Sequence, residues 1–132
     1  MDQKIVDDVI AIVDRHTEAE ARRDYDATMA TFGATAGWKL LPQNIVIDGH
    51  DAVRAFYEQL IPMLDRLSVT RELLGQWANE TGVVRRDRFA HDTPSGRIEF
   101  ELVSILFVED GHVTMEHAYG WPDESLRVLG FL

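Results

Sequence analysis

The stretch that decides the fold is GVVRRDRFAHDTPSGRIEFELVSILFVEDGHVTMEHAY, residues 82–119. It reads as two long strands, Gly82–His91 and Arg97–Glu109, joined by a tight turn at Asp92–Thr93–Pro94–Ser95–Gly96. A second turn, Asp110–Gly111, leads into a third strand, His112–Tyr119. Such a meander makes a large, twisted antiparallel sheet. Side chains alternate between the faces of a strand. In the third strand Val113, Met115, His117 and Tyr119 share one side; Thr114, Glu116 and Ala118 share the other. The second strand turns apolar on both sides past its middle, with Leu102 and Leu106 on one and Val103, Ile105 and Phe107 on the other. A sheet with two apolar faces has to be covered twice.

Outward from the meander, the preceding chain supplies one cover. Asp2 is placed to cap a first helix, and Ile5, Val6, Val9, Ile10, Ile12 and Val13 follow at helical spacing toward Arg23. The apolar stripe turns polar at His16 and Glu20, as expected of an exposed last turn or of a helix entering a wet cavity; exposure is the default for polar residues. Asp24 or Asp26 caps a short helix, Tyr25–Phe32, which Gly33 ends. Thr35–Leu41 and Asn44–Ile47 read as short strands. Asp51 is the expected cap of a third helix, Ala52–Leu64, which Pro62 should kink or stop at Ile61. Ser68–Asn79 fits helix and strand about equally; Gly75 favours a strand that extends the meander. Helices first and strands after mark an α+β domain with helices on one face of the sheet. The other face calls for a second copy of the chain, so a homodimer through the sheet is expected.

Composition narrows the function classes. The 132 residues fit a single domain, 1–132, with core enough to need no staples. The absence of cysteine excludes disulfides and thiolate metal sites, and a cytoplasmic location is the simplest reading. A net charge of −10 argues against nucleic acid and anionic membrane as partners. No apolar run resembles a signal peptide or spans a bilayer. No phosphate loop, nucleotide fingerprint or metal-binding His spacing occurs, so no cofactor and no metal are expected. Helices laid across a twisted sheet leave a concave apolar space of the kind that takes a small hydrophobic molecule.

The chain resembles the nuclear-transport-factor-two-like superfamily, and within it the SnoaL-like polyketide cyclases and limonene-epoxide-hydrolase-like proteins. The resemblance is carried by Glu18–Phe32 with its Arg23–Asp24–Tyr25 break, by the helix start Gly49–Tyr57, and by the turns Pro94–Arg97 and Asp110–Val113. It implies a cone-shaped curved antiparallel sheet, wrapped by helices around a deep pocket and commonly dimerised through the sheet. The superfamily holds isomerases, cyclases, dehydratases, epoxide hydrolases and noncatalytic binding modules, so fold does not choose the reaction. The epoxide hydrolases use an Arg-x-Asp pair, here Arg85 and Asp87. Their second Asp falls on Ala118 and their Tyr-x-Asn pair on Trp38 and Leu40. The early-strand Asp of ketosteroid isomerases has no counterpart in Trp38–Leu41.

Arg85 and Asp87 lie two apart on a strand and share a face, where the guanidinium is expected to keep the carboxylate's pKa low. The resemblance turns the Glu116 face toward the pocket, where a glutamate's pKa rises into the range of a general acid or base. The expected catalytic set is Asp87, Glu116 and Arg85, with Arg85 stabilising developing negative charge. His16, Trp38, Leu40, Phe56, Tyr57 and Ala118 are the expected ligand-binding set, and a dyad of His16 with Glu116 or Asp87 is open. His50, His91 and His112 fall at turns and are expected in solvent; His117 falls on the partner-facing side. Three readings remain: a cofactor-free acid–base enzyme of cyclase, isomerase, dehydratase or epoxide hydrolase type, a noncatalytic ligand-binding or association domain, and a protein-interaction module using the free sheet face.

Overall fold

In a computed structural model describing Met1–Leu132, the elements run α1 (Gln3–Ala21), α2 (Tyr25–Ala30), β1 (Gly37–Leu41), β2 (Ile45–Asp48), α3 (His50–Arg66), β3 (Thr70–Asn79), β4 (Gly82–Thr93), β5 (Gly96–Glu109), β6 (His112–Tyr119) and α4 (Asp123–Leu129). The meander β3–β4–β5–β6 forms as expected, and Ser68–Asn79 contributes its edge strand. The six strands order as β2-β1-β6-β5-β4-β3. The sheet is mixed rather than wholly antiparallel: β1 joins β6 in parallel, through Trp38↔Glu116 and Leu40↔Ala118. That join places the early hairpin's apolar residues beside the last strand's acid.

Two register shifts bend the sheet, one in β3 between Leu73 and Gly75 and one opposite Thr114, where Phe107 pairs with Met115 and Val108 with Val113. An extra residue in one strand turns the following side chains over. Strict alternation in β6 therefore fails at Thr114, and Val113 is fully buried on the same side as Glu116 instead of facing outward with Met115.

Asp2 caps α1, its carboxylate accepting from the Lys4 and Ile5 amides. Asp24 caps α2 by accepting from the Ala27 amide. At α3 the expectation is corrected: Gly49, with φ 96°, precedes the helix and no side chain caps it, while Asp51 lies inside its first turn. Glycine adopts that backbone at no steric cost, which lets the helix start at once after β2. Pro62 neither stops nor shortens α3, which runs on to Arg66.

The helices lie on one face of the sheet. Val9 and Val13 of α1, Val53, Tyr57 and Leu60 of α3, and Leu126 and Leu129 of α4 join one core with inner-face residues such as Leu40, Leu102 and Leu106. α4 stands outside the sequence expectation. It is held by the Gln59 amide donating to the Leu129 carbonyl at 2.8 Å and by the Ser125 hydroxyl 2.7 Å from His91 Nε2. His91 is accordingly no solvated turn residue. β4 continues to Thr93, which carries His91 onto the inner face with no exposure.

Candidate functional site

Between the inner face of the sheet, the last turns of α1, and α3 and α4 lies a cavity of about 280 Å³. This is near the lower end of the range for small-molecule sites. Its wall is divided. Trp38, Leu40 and Phe56 make an apolar side, continued by Phe89, Trp121 and Leu126. Glu116, Glu20, Arg71, Arg85, Asp87 and Ser104 bring polar groups to the same space.

The polar side follows from strand register. Arg85 pairs across with Ser104 and Asp87 with Leu102, one step along on the same face. Glu116 pairs with Leu106 on one side and with Trp38 on the other. Arg85, Asp87 and Glu116 are all buried. Arg85 Nη1 donates to the Thr17 hydroxyl at 3.1 Å, and Nη2 stands 3.7 Å from Asp87 Oδ1. Arg71 Nε lies 3.9 Å from Asp87 Oδ1, and Arg71 Nη1 is 3.9 Å from Glu20 Oε1. These ionic separations exceed hydrogen-bond length. Arg85 Nε and Asp87 Oδ1 are buried with no hydrogen-bond partner. The expected low pKa of Asp87 is corrected by this geometry. Burial pushes its carboxyl up, and Arg71 and Arg85, at arm's length, do not bring it back.

Behind Glu116 stands His16, the point at which the α1 stripe turns polar. It is fully buried, so the helix enters the interior there and the expected exposed last turn is overturned. His16 Nε2 lies 3.2 Å from Glu116 Oε1, 3.4 Å from Glu20 Oε1 and 3.3 Å from the Tyr57 hydroxyl. Nδ1 is 2.7 Å from the Thr31 hydroxyl. Trp38 Nε1–H donates to the Tyr57 oxygen at 3.2 Å. Burial lowers the pKa of His16, but Glu20 and the hydrogen-bonded Glu116 outweigh it and the net shift is upward. Burial lifts Glu116 to about 7, against the lowering pull of the His16 hydrogen bond. The Tyr57 hydroxyl is pushed well up, by burial first and then by Glu20 and Glu116.

Of the expected site residues, Asp87, Glu116, Arg85, Trp38, Leu40 and Phe56 line the cavity. His16 and Tyr57 lie behind it, in contact with its acid rather than with its space, and Ala118 is buried outside the lining. Thr17, Glu20, Arg71 and Ser104 line it and lie outside the expected set. Strand parity could have found two of them: Ser104 sits between Leu102 and Leu106, and Arg71 pairs across with Phe89, two steps from Asp87. No group of three or more His, Asp or Glu is gathered so as to hold a metal ion.

Comparison with known proteins agrees with this architecture. The family model of the SnoaL-like domain matches residues 13–116. Among solved structures, an LEH-like epoxide hydrolase from M. tuberculosis is 18% identical, with 94% of this chain and 90% of that one covered and a TM-score of 0.72. A SnoaL-like polyketide cyclase candidate from Jannaschia sp. CCS1 is 16% identical over 86% of this chain and 85% of that one, at 0.73. An NTF2-like protein of unknown function from Burkholderia pseudomallei is 17% identical over 93% and 98%, at 0.75. Identities this low speak for the fold alone. Among curated proteins none matches the sequence.

Proposed function

The chain belongs to the SnoaL-like family of the NTF2-like superfamily, and on that premise we propose that its cavity takes a small hydrophobic molecule bearing an oxygen function and works on it by cofactor-free acid–base chemistry. One observation carries the reading: Glu116, Asp87 and Arg85 open onto a single cavity whose lining is mostly apolar. Glu116, with a pKa of about 7, is poised to give or take a proton at neutral pH. Asp87 Oδ1, without a partner, accepts a hydrogen bond from a substrate hydroxyl or a water. Arg85, whose Nε is likewise uncommitted, stabilises negative charge that develops on the substrate oxygen. Trp38, Leu40 and Phe56 grip the hydrocarbon and keep bulk water out. Cyclisation, isomerisation, dehydration and epoxide opening all draw on such a set.

The experiment is a thermal-shift screen with terpenoid, steroid and polyketide compounds, followed by product analysis on the parent protein, Asp87→Asn and Glu116→Gln. The expected result is a ligand that stabilises all three proteins and is turned over only by the parent. Turnover retained in both variants would sink the acid–base assignment. Binding without turnover in the parent would move the protein to the noncatalytic ligand-binding reading.

A second copy of the chain is the proposed occupant of the outer face. No helix of the chain covers that face. Phe107, Tyr119 and Trp77 are exposed there, around the half-buried Val103 and Ile105. Ion pairs, Arg86–Glu101 and Arg88–Glu72, border the patch. An apolar centre within a charged border is the usual make-up of a protein interface.

A further inference from the structure

The His16 cluster has a hydrogen-bond direction that can be deduced. The Thr31 hydroxyl has one proton and directs it to the Thr28 carbonyl at 2.7 Å. With that proton on the carbonyl, Thr31 accepts from His16 Nδ1 at 2.7 Å, which is the ring form with a proton on Nδ1. On the other side of the ring, Trp38 Nε1–H can only donate, so the Tyr57 oxygen accepts from it and the Tyr57 proton points into the cluster.

That leaves Nε2 facing two carboxylates at 3.2 and 3.4 Å. With Nδ1 protonated, a neutral ring would turn its Nε2 lone pair toward both carboxylates, could take a hydrogen only from the Tyr57 hydroxyl at 3.3 Å, and would give neither acid one. One further proton lying between Nε2 and a carboxylate gives the ring and that acid a hydrogen to share. The proton sits on Nε2 as an imidazolium paired with Glu116, or on Glu116 as an acid donating to Nε2. A short transfer interconverts the two.

We propose that His16, Glu116 and Glu20 hold one proton in common, with His16 Nε2 as the station between the two carboxylates, so that the two cavity-lining acids exchange a proton behind a bound ligand. The geometry gives the path its ends. Both acids line the cavity: Glu116 from β6, with 7% of its side chain exposed, and Glu20 from α1, with 12%, beside Arg71 of the edge strand β3. His16 and Tyr57 contribute no surface to the cavity, so a substrate there does not interrupt the chain. Only a proton moves; the Nδ1–H stays on Thr31. The charged and titratable groups facing the cluster are His16 and Glu20 from α1, Tyr57 from α3, Glu116 from β6 and Arg71 from β3. Arg85 from β4 is turned to Thr17 and Asp87. The catalytic use of the relay rests on the acid–base reading above; the shared proton does not.

The test is an NMR titration of the full chain, labelled with 15N and 13C and without ligand, from pH 5 to 9. Expected are a His16 Nδ1 that keeps its protonated signature throughout, and a His16 Nε2 and a Glu116 carboxyl carbon that move together at one midpoint. A deprotonated Nδ1, or His16 and Glu116 titrating at unrelated midpoints, overturns the proposal. Glu20→Gln, folded by its amide spectrum, should lower the common midpoint by about one pH unit, since a neighbouring negative charge is removed. A midpoint that does not move removes Glu20 from the relay. Because no ligand is used, a common midpoint stands even if no substrate is found. Turnover without it defeats the relay and leaves the acid–base reading.

Discussion

Glu116 has Trp38 and Leu106 as its cross-strand neighbours and His16 as its polar contact. Such a site raises a carboxyl's pKa, and a raised pKa is also a statement about stability. The folded state, titrating near 7, holds the Glu116 proton more tightly than the unfolded chain, titrating near 4.5. The stabilisation is complete below about 4.5 and is lost as pH rises through about 7. His16, whose pKa is also raised, acts in the same direction. Glu116 and His16 titrate as one buried pair, so the loss of stability belongs to the pair. Denaturant midpoints of the parent should therefore fall between pH 5 and pH 8 by more than those of Glu116→Gln, which has no proton to lose. Equal pH slopes for the two proteins would show that Glu116 does not titrate in this range. Asp87 acts with the same sign, since burial raises its carboxyl too.

At the level of elements, the parts that periodicity alone decides were legible, and those decided by tertiary contact were not. β6 was readable in its bounds, which turn residues set, and β3 through Gly75, which is poor in a helix. The end of α1 was not. His16 and Glu20 look like an exposed turn until Thr31, Tyr57 and Glu116, remote in sequence, supply partners that make burial affordable. Val113 is a similar case, since the bulge at Thr114 that turns it inward depends on the pairing with β5. α4 carried local signals that could have been read: Pro122 before it, Asp123 and Glu124 in its first turn, Leu126 and Leu129 three apart, and Gly130 in the left-handed region after it. The helix is short, and its hold on the sheet includes the Ser125–His91 contact, buried on both sides. Ser125→Ala leaves His91 Nε2 without a partner in the interior. It should cost about 1–3 kcal/mol, measured as a lower urea midpoint with an unchanged slope. No change in the midpoint would mean that apolar packing alone seats α4.

For the molecule as a whole, the sheet divides the chemistry between its faces. The inner face gathers the acids and guanidiniums into a cavity under the helices. The outer face is apolar only toward one end, at Val103, Ile105, Phe107, Met115 and Tyr119; toward the other, Arg86, Arg88, Glu99 and Glu101 make ion pairs. A two-fold contact between copies would therefore centre on β5 and β6 and leave the charged end as its rim. Those are the strands that carry Ser104, Leu106 and Glu116 on their reverse, so association would stiffen the cavity floor from behind. A stable contact buries about 1,600 Å² in total. Phe107 is the sharpest probe, 37% exposed and stacked edge-on against His117 at 5.1 Å. Sedimentation of the parent at micromolar concentration should give a dimer, and Phe107→Glu should give a monomer with the same circular dichroism. A parent that sediments as a monomer at that concentration removes the second copy from the outer face. A Phe107→Glu protein that stays dimeric moves the contact elsewhere on the surface.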